Sequence, residues 1–177
     1  MDEEKLEAFI SFRNELINQL DHGEINKFDF VRKNYEYISK YEVNPYGDID
    51  SVSGAAFAYQ YFNSKAKYYL SKAFEIELKD PDEAYELREL GFENYEYKNN
   101  VIKKVLELID YKNVEAFFIE MNSKALEGEL FEIVLLDYEK MIFHTKDLLI
   151  LNRLKKNNCF SKEIKKSLIA EYINKKY

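Results

Sequence analysis

Residues 51–83 read SVSGAAFAYQYFNSKAKYYLSKAFEIELKDPDE. Within this stretch Ala55, Ala58, Phe62, Ala66, Tyr69, Ala73 and Ile76 recur at spacings of three and four, which puts them on one face of a helix. No breaker follows Gly54 until Pro81, so a single long helix is predicted from Ser51 or Ser53 to Lys79. At about 1.5 Å per residue it spans roughly 40 Å, the length of a central strut. The small residues along its seam permit close approach of a neighbouring helix. Asp80-Pro81-Asp82-Glu83 ends it and opens the next. Asp80 is an N-cap, Pro81 takes the first helical position, where no amide donor is missed, and Glu83 completes the start signal.

Working outward toward the N-terminus, Phe9, Phe12, Leu16 and Leu20, widened by Leu6 and Ile17, predict a helix from Asp2 to Asp21. Gly23, after His22, supplies a left-handed stop. Asn26, with Asp29 three residues on, caps a second helix with the stripe Phe28, Val31, Tyr35, Ile38. That helix is expected to end before Asn44-Pro45, and the short connection implies an antiparallel hairpin.

Toward the C-terminus, Ala84, Leu87 and Leu90 lead to Gly91 and later to Asn99-Asn100, and Ile102, Val105, Leu106 and Ile109 resume the pattern. One kinked helix and two shorter ones fit this equally. Asn113 caps an expected helix carrying Val114, Phe117, Phe118, Met121 and Ala125, ending at Gly128. Residues 129–144 satisfy both a β-hairpin and a buried helix, because short apolar runs do not separate the two periods. Gly128 and Thr145 bracket the segment and favour the hairpin. Thr145 then caps a helix through Leu148, Leu151 and Leu154 that ends at Asn157-Asn158. Ser161 caps a last helix with Ile164, Leu168, Ile169 and Tyr172.

The fold class is therefore mainly α: one domain over residues 1–177, an antiparallel bundle or array of about six to eight helices, with a short β-hairpin around 130–144. Five glycines and two prolines are too few for the turns of a β-sandwich or barrel. Gly54, Phe57, Ala66, Leu70 and Ala73 partly echo a tetratricopeptide spacing. Gln60-Tyr61-Phe62 stand where that repeat needs its inter-helix turn, so no peptide-binding residues carry over.

The single cysteine, Cys159, excludes an intramolecular disulfide and cysteine-based metal sites. The acidic start Met1-Asp2-Glu3-Glu4-Lys5 lacks the basic and apolar regions of a signal peptide, and the longest apolar runs are a few residues. A cytoplasmic location is expected. The net charge of −7 argues against broad nucleic-acid binding. The charge is uneven: residues 145–177 hold nine Lys/Arg against three acids, a net +6. The simplest account is that these basic segments dock on or near an acidic body. The chain has 15 Tyr, 13 Phe and no Trp, with abundant Lys, Asn and Ile. All have AT-rich codons, so an AT-rich bacterial genome explains the bias better than a stacking platform for sugars or bases.

The five glycines are scattered, which leaves no phosphate loop. Asp48-Ile49-Asp50 fails as a calcium loop, since Val52 and Ser53 stand where an oxygen ligand and glycine are required. Neither histidine belongs to a zinc or di-iron pattern. His22 reads as a helix C-terminal residue stabilised by the dipole. The weak catalytic candidates are His144, for acid–base work, and Cys159, whose lysine-rich neighbourhood would favour a thiolate. For both, a structural role is the simpler expectation. No cofactor and no metal are expected.

The leading functional expectation is a non-enzymatic interaction or regulatory module that takes a partner helix, a peptide or another copy of itself on an exposed apolar or aromatic patch. The alternative is a small-molecule binder or enzyme with an aromatic-lined pocket between helices. A third reading is an anion-binding surface at Lys162, Lys165, Lys166, Lys175 and Lys176.

Overall fold

The computed structural model describes residues 2–109, 115–122, 130–138, 141–145 and 147–159. These are mainly helical, with α1 at Asp2–Asp21, α2 at Lys27–Ile38, α3 at Val52–Ile76, α4 at Pro81–Leu108 and α5 at Leu148–Lys156. Three strands lie between α4 and α5: β1 at Glu115–Asn122, β2 at Leu130–Tyr138 and β3 at Met141–Thr145. The chain divides into two compact units, Met1–Val101 and Ile102–Lys176.

Local chemistry sets the helix ends of the first unit. Gly23 takes φ 72°, free of the Cβ clash that other residues meet there. Asn26 Oδ1 accepts from the Asp29 N–H at 2.9 Å, Ser51 Oγ from the Gly54 N–H at 3.0 Å, and Asp80 Oδ1 from the Glu83 N–H at 3.0 Å. Each satisfies an amide that the helix itself leaves without a partner. The second helix ends with the last residue of its apolar stripe. It stops at Ile38, where the Ser39 N–H bonds to the Tyr35 carbonyl, well before Pro45.

Aromatic side chains join α1, α2 and α3. Phe12 stacks on Tyr37 at 4.3 Å, and Tyr35 stacks on Tyr68 at 3.9 Å with planes 7° apart. Between them Leu16, Ile17, Phe30 and Val31 form a buried cluster. The tyrosines counted in the composition here build the interior.

On its other side α3 meets α4. Arg88 pairs with Glu77 at 2.9 Å, Gly91 lies against Leu70, Tyr97 lies 5.4 Å from Phe62, and the Lys98 ammonium sits 5.9 Å from the Tyr59 ring. Rising numbers on α4 match falling numbers on α3, so the two helices are antiparallel. α4 runs unbroken through Gly91 and Asn99-Asn100. Gly91 marks the closest approach: a Cβ there would lie 2.7 Å from Leu70 Cγ and 3.4 Å from the Ala66 carbonyl oxygen.

In the second unit the sheet order is β1-β2-β3, antiparallel throughout. Ile102, Val105, Leu106, Ala116, Phe143, Ile150 and Leu154 are buried. The helix expected from Asn113 to Gly128 is replaced by β1. Val114, Phe117, Phe118 and Met121 fit a helical face, but the run Ala116-Phe117-Phe118-Ile119 is equally a strand, and pairing with β2 in the register Glu115↔Asp137 decides it. Ala125 and Gly128 lie outside the described residues. Residues 130–138 and 141–145 are extended and paired, Tyr138 with Met141. The cap of α5 is Asp147, whose Oδ1 accepts from the Leu149 N–H at 2.8 Å, and not Thr145. Thr145 ends β3, and its Oγ1 accepts from the Asp147 N–H. The helix expected after Ser161 lies outside the described residues. Five helices stand among the described residues, against the six to eight expected.

Glycine in a helix interior ordinarily costs about 1 kcal/mol relative to alanine. At Gly91 the sign should reverse, because the methyl group of Ala would strike Leu70. Gly91→Ala is expected to lower stability by about 1–2 kcal/mol, and Leu70→Ala should absorb part of that cost in the double variant. Urea unfolding of the four proteins checks it. A Gly91→Ala protein more stable than the parent would show that α3 and α4 do not approach this closely.

Candidate functional site

Two features of the first unit carry unusual chemistry. The first is a row of exposed apolar side chains on α3, on the turn that continues it past its C-cap Glu77, and on α4. Leu78 is 99% exposed, Phe74 69%, Tyr85 61% and Phe92 53%. Each follows by one residue a position on the α3–α4 contact line: Ala73, Glu77, Ala84 and Gly91. One residue onward is about 100° around a helix. In antiparallel helices the same sense of rotation away from the contact line leads to the same side. The four side chains therefore share one face of the hairpin.

Beside Tyr85 and Phe92, α4 carries a second row. Asp82, Glu86, Glu89, Glu93 and Glu96 follow at spacings of four and three and are all exposed. Among the described residues none of these carboxylates is in an ion pair. Glu93 accepts a hydrogen bond from the Tyr97 hydroxyl at 2.7 Å, and this bond holds the Tyr97 phenol above its ordinary pKa. Like charges three or four apart destabilise a helix by a few tenths of a kcal/mol per pair. The row thus works against α4 in the isolated chain.

The second feature is a small polar chamber between α1, α2 and α3. Arg13, Asn34, Gln60, Asn63, Ser64 and Lys67 line it together with Phe30 and Val31. Its volume is about 10 Å³, the size of one water molecule. Asn34 and Asn63 are buried, and the Oδ1 of each lacks a hydrogen-bond donor. Asn34 cannot turn its amide round without losing the bond from Nδ2 to the Phe30 carbonyl at 2.9 Å. The Arg13 guanidinium sits 5.7 Å from the Phe30 ring, and burial holds its pKa below the ordinary value, partly countered by Tyr59. Ligand pockets for drug-sized molecules begin at roughly 300 Å³, so the chamber as it stands admits nothing of that size.

Lys98 is buried on α4, with its ammonium 4.7 Å from the Tyr95 ring and 5.9 Å from that of Tyr59. Burial pushes the Tyr95 phenol up to about 12. Lys98 was not singled out from the sequence. The signal was present, since 84, 91, 98 and 102 lie on one helical face and a lysine on that face has to be accommodated inside.

The candidates drawn from the sequence are not among these residues. The Nδ1 of His22 lies 2.7 Å from the Asn18 carbonyl oxygen and donates to it, closing the last turn of α1. His144 lies in β3 opposite Leu135. Cys159 is buried after α5. Its N–H bonds to the Leu154 carbonyl, and its own carbonyl accepts from the Ala116 N–H at 2.8 Å, tying α5 to β1. Lys162, Lys165, Lys166, Lys175 and Lys176 lie outside the described residues. Among the described residues no group of three or more His, Cys, Asp and Glu side chains can hold a metal ion. Among them, too, no helix is long and apolar enough to cross a membrane.

A family model described as a family of unknown function (DUF6648) matches residues 1–177. The chain belongs to this family. No curated protein and no solved structure matches it. Membership in the DUF6648 family assigns no chemistry, so any functional argument rests on the residues themselves.

Burial raises the Cys159 thiol above its ordinary pKa, opposite to the shift that a reactive cysteine needs. The thiolate fraction at neutral pH is therefore reduced, and reaction with an alkylating reagent should rise only as pH climbs past the ordinary thiol range. Iodoacetamide labelling at pH 7.5 should be at least about tenfold slower in the folded protein than in urea. Equal rates would mean that the thiol is accessible and ionised.

Proposed function

We propose that this chain is a non-enzymatic protein-interaction module and that the apolar face of the α3–α4 hairpin is its docking surface. The observation that carries the reading is the row Phe74, Leu78, Tyr85 and Phe92, four large apolar side chains exposed on one side of two helices. Full burial of a side chain of this kind is worth about 1.5–3 kcal/mol. A partner covering several of them gains a useful part of its binding energy there, with aromatic rings as anchors. All four are exposed, while the neighbouring Ala73, Ala84 and Gly91 are buried. The runner-up, a pocket for a small molecule, draws on two open surface clefts, about 280 Å³ beside Phe28, Tyr68 and Glu75 and about 230 Å³ beside Asp2, Asn44 and Phe57; both fall short of the roughly 300 Å³ at which pockets for drug-sized ligands begin.

The reading separates binding from folding. Phe74→Ser with Leu78→Ser should leave stability within about 0.5 kcal/mol of the parent, as for surface changes elsewhere. A photo-crosslinking residue at position 78 or 85 should give a discrete covalent adduct in the cell that makes the protein, and the same residue at exposed position 24 should give none. Loss of folding in the double serine variant, or adducts equally abundant at all three positions, would remove the docking surface.

A further inference from the structure

We infer that the occupant of this face is a second copy of the chain, which presents α5. The inference rests on the α3–α4 face being a docking surface and adds the identity of what docks. A partner for that face must bring apolar side chains to Leu78 and Tyr85 and positive charge to the acidic row beside them. α5 displays that combination. Leu148 and Leu149 are exposed at its start, and Asn152, Arg153, Lys155 and Lys156 are exposed along the rest, while Ile150 and Leu154 are buried. Leu149, Arg153 and Lys156 follow at spacings of four and three, so one line along α5 runs from apolar to basic.

The spacing matches as well. From Leu149 to Lys156 the rise is about 10 Å, and from Tyr85 to Glu93 about 12 Å, at about 1.5 Å per residue. With the two leucines on the apolar tip of the hairpin, Arg153 and Lys156 come alongside Glu89 and Glu93. The contact also gives a role to five neighbouring carboxylates on α4 that are in no ion pair among the described residues: their neutralising charges come from another molecule. Both copies carry both surfaces, so the assembly is either a closed pair or a head-to-tail chain.

Sedimentation velocity of the full chain over a range of concentrations tests this. Association is expected at low ionic strength, weakening at 0.5 M salt because rim charges are screened. Glu89→Lys with Glu93→Lys in one protein, and Arg153→Glu with Lys156→Glu in another, should each weaken association at least tenfold. Mixing the two variants should restore it, because each then finds the opposite charge on the other. These four acidic and basic positions are exposed, and an unchanged melting transition for each variant confirms that folding is intact. A monomer at every concentration and salt would overturn the inference, as would association that neither variant weakens or that mixing fails to restore. In those cases a position-78 adduct with a different protein would keep the docking face and discard only the second copy. The absence of both would discard the two together.

Discussion

The close approach at Gly91 constrains the first unit more than any other contact. With no side chain at that position, the α4 backbone comes down onto Leu70 and the Ala66 carbonyl of α3. Ala66, Ala73 and Ala84 are all buried. A seam of such small residues brings two helices together by backbone proximity and dispersion, with little side-chain volume to fill. The opposite side of α3 is built differently. There the α1–α2 hairpin packs through rings, with Tyr35 on Tyr68 and Phe12 on Tyr37. One helix thus supports a thin seam on one side and a thick aromatic layer on the other.

That asymmetry determines where polar groups end up. The layer between α1, α2 and α3 contains a small void that polar side chains line. Asn34 and Asn63 bring amide oxygens into it without donors, and unsatisfied acceptors of this kind cost about 1–3 kcal/mol each when buried. The half-buried Arg13 supplies a cation at the same place. The same side of α3 contains the buried Lys98, whose ammonium lies near the rings of Tyr59 and Tyr95. Cation–π contacts can hold a desolvated ammonium at about 2 kcal/mol.

Much of the first unit was legible in the sequence because its signals are local. The caps at Asn26, Ser51 and Asp80, the stop at Gly23 and the stripe of α3 all report on residues within one or two turns. The second unit was less legible for the opposite reason. β1 exists because residues 115–122 pair with residues 130–138, and a window confined to 113–128 contains nothing that favours the strand over a helix. Whether α4 is one helix or two stayed open for a similar reason: Gly91 looks like punctuation in the sequence, while its use is tertiary. Of the candidate site residues, His22 was correctly read from its place at a helix end. Cys159 sits in the basic stretch noted in the sequence, yet burial dominates its thiol and moves the pKa the other way.

The exposed row on α3 and α4 was not legible at all, and the seam shows why. In the sequence Ala73 and Ala84 fall on helix stripes and Gly91 reads as a break, while Phe74, Tyr85 and Phe92, each one residue on, are not singled out. Once the small residues form the contact line, the aromatic residue that follows each of them is rotated out to solvent. Packing this hairpin with large residues would have separated the helices and buried the rings between them. Packing it with small ones brings the helices together and leaves the rings outside. Leu78 joins them one residue beyond Glu77, at the tip where Arg88 holds the two helices in register. The same choice of small residues thus makes a tight hairpin and an apolar outer face. The exposed carboxylates of α4 run beside that face, and among the described residues none of them is in an ion pair.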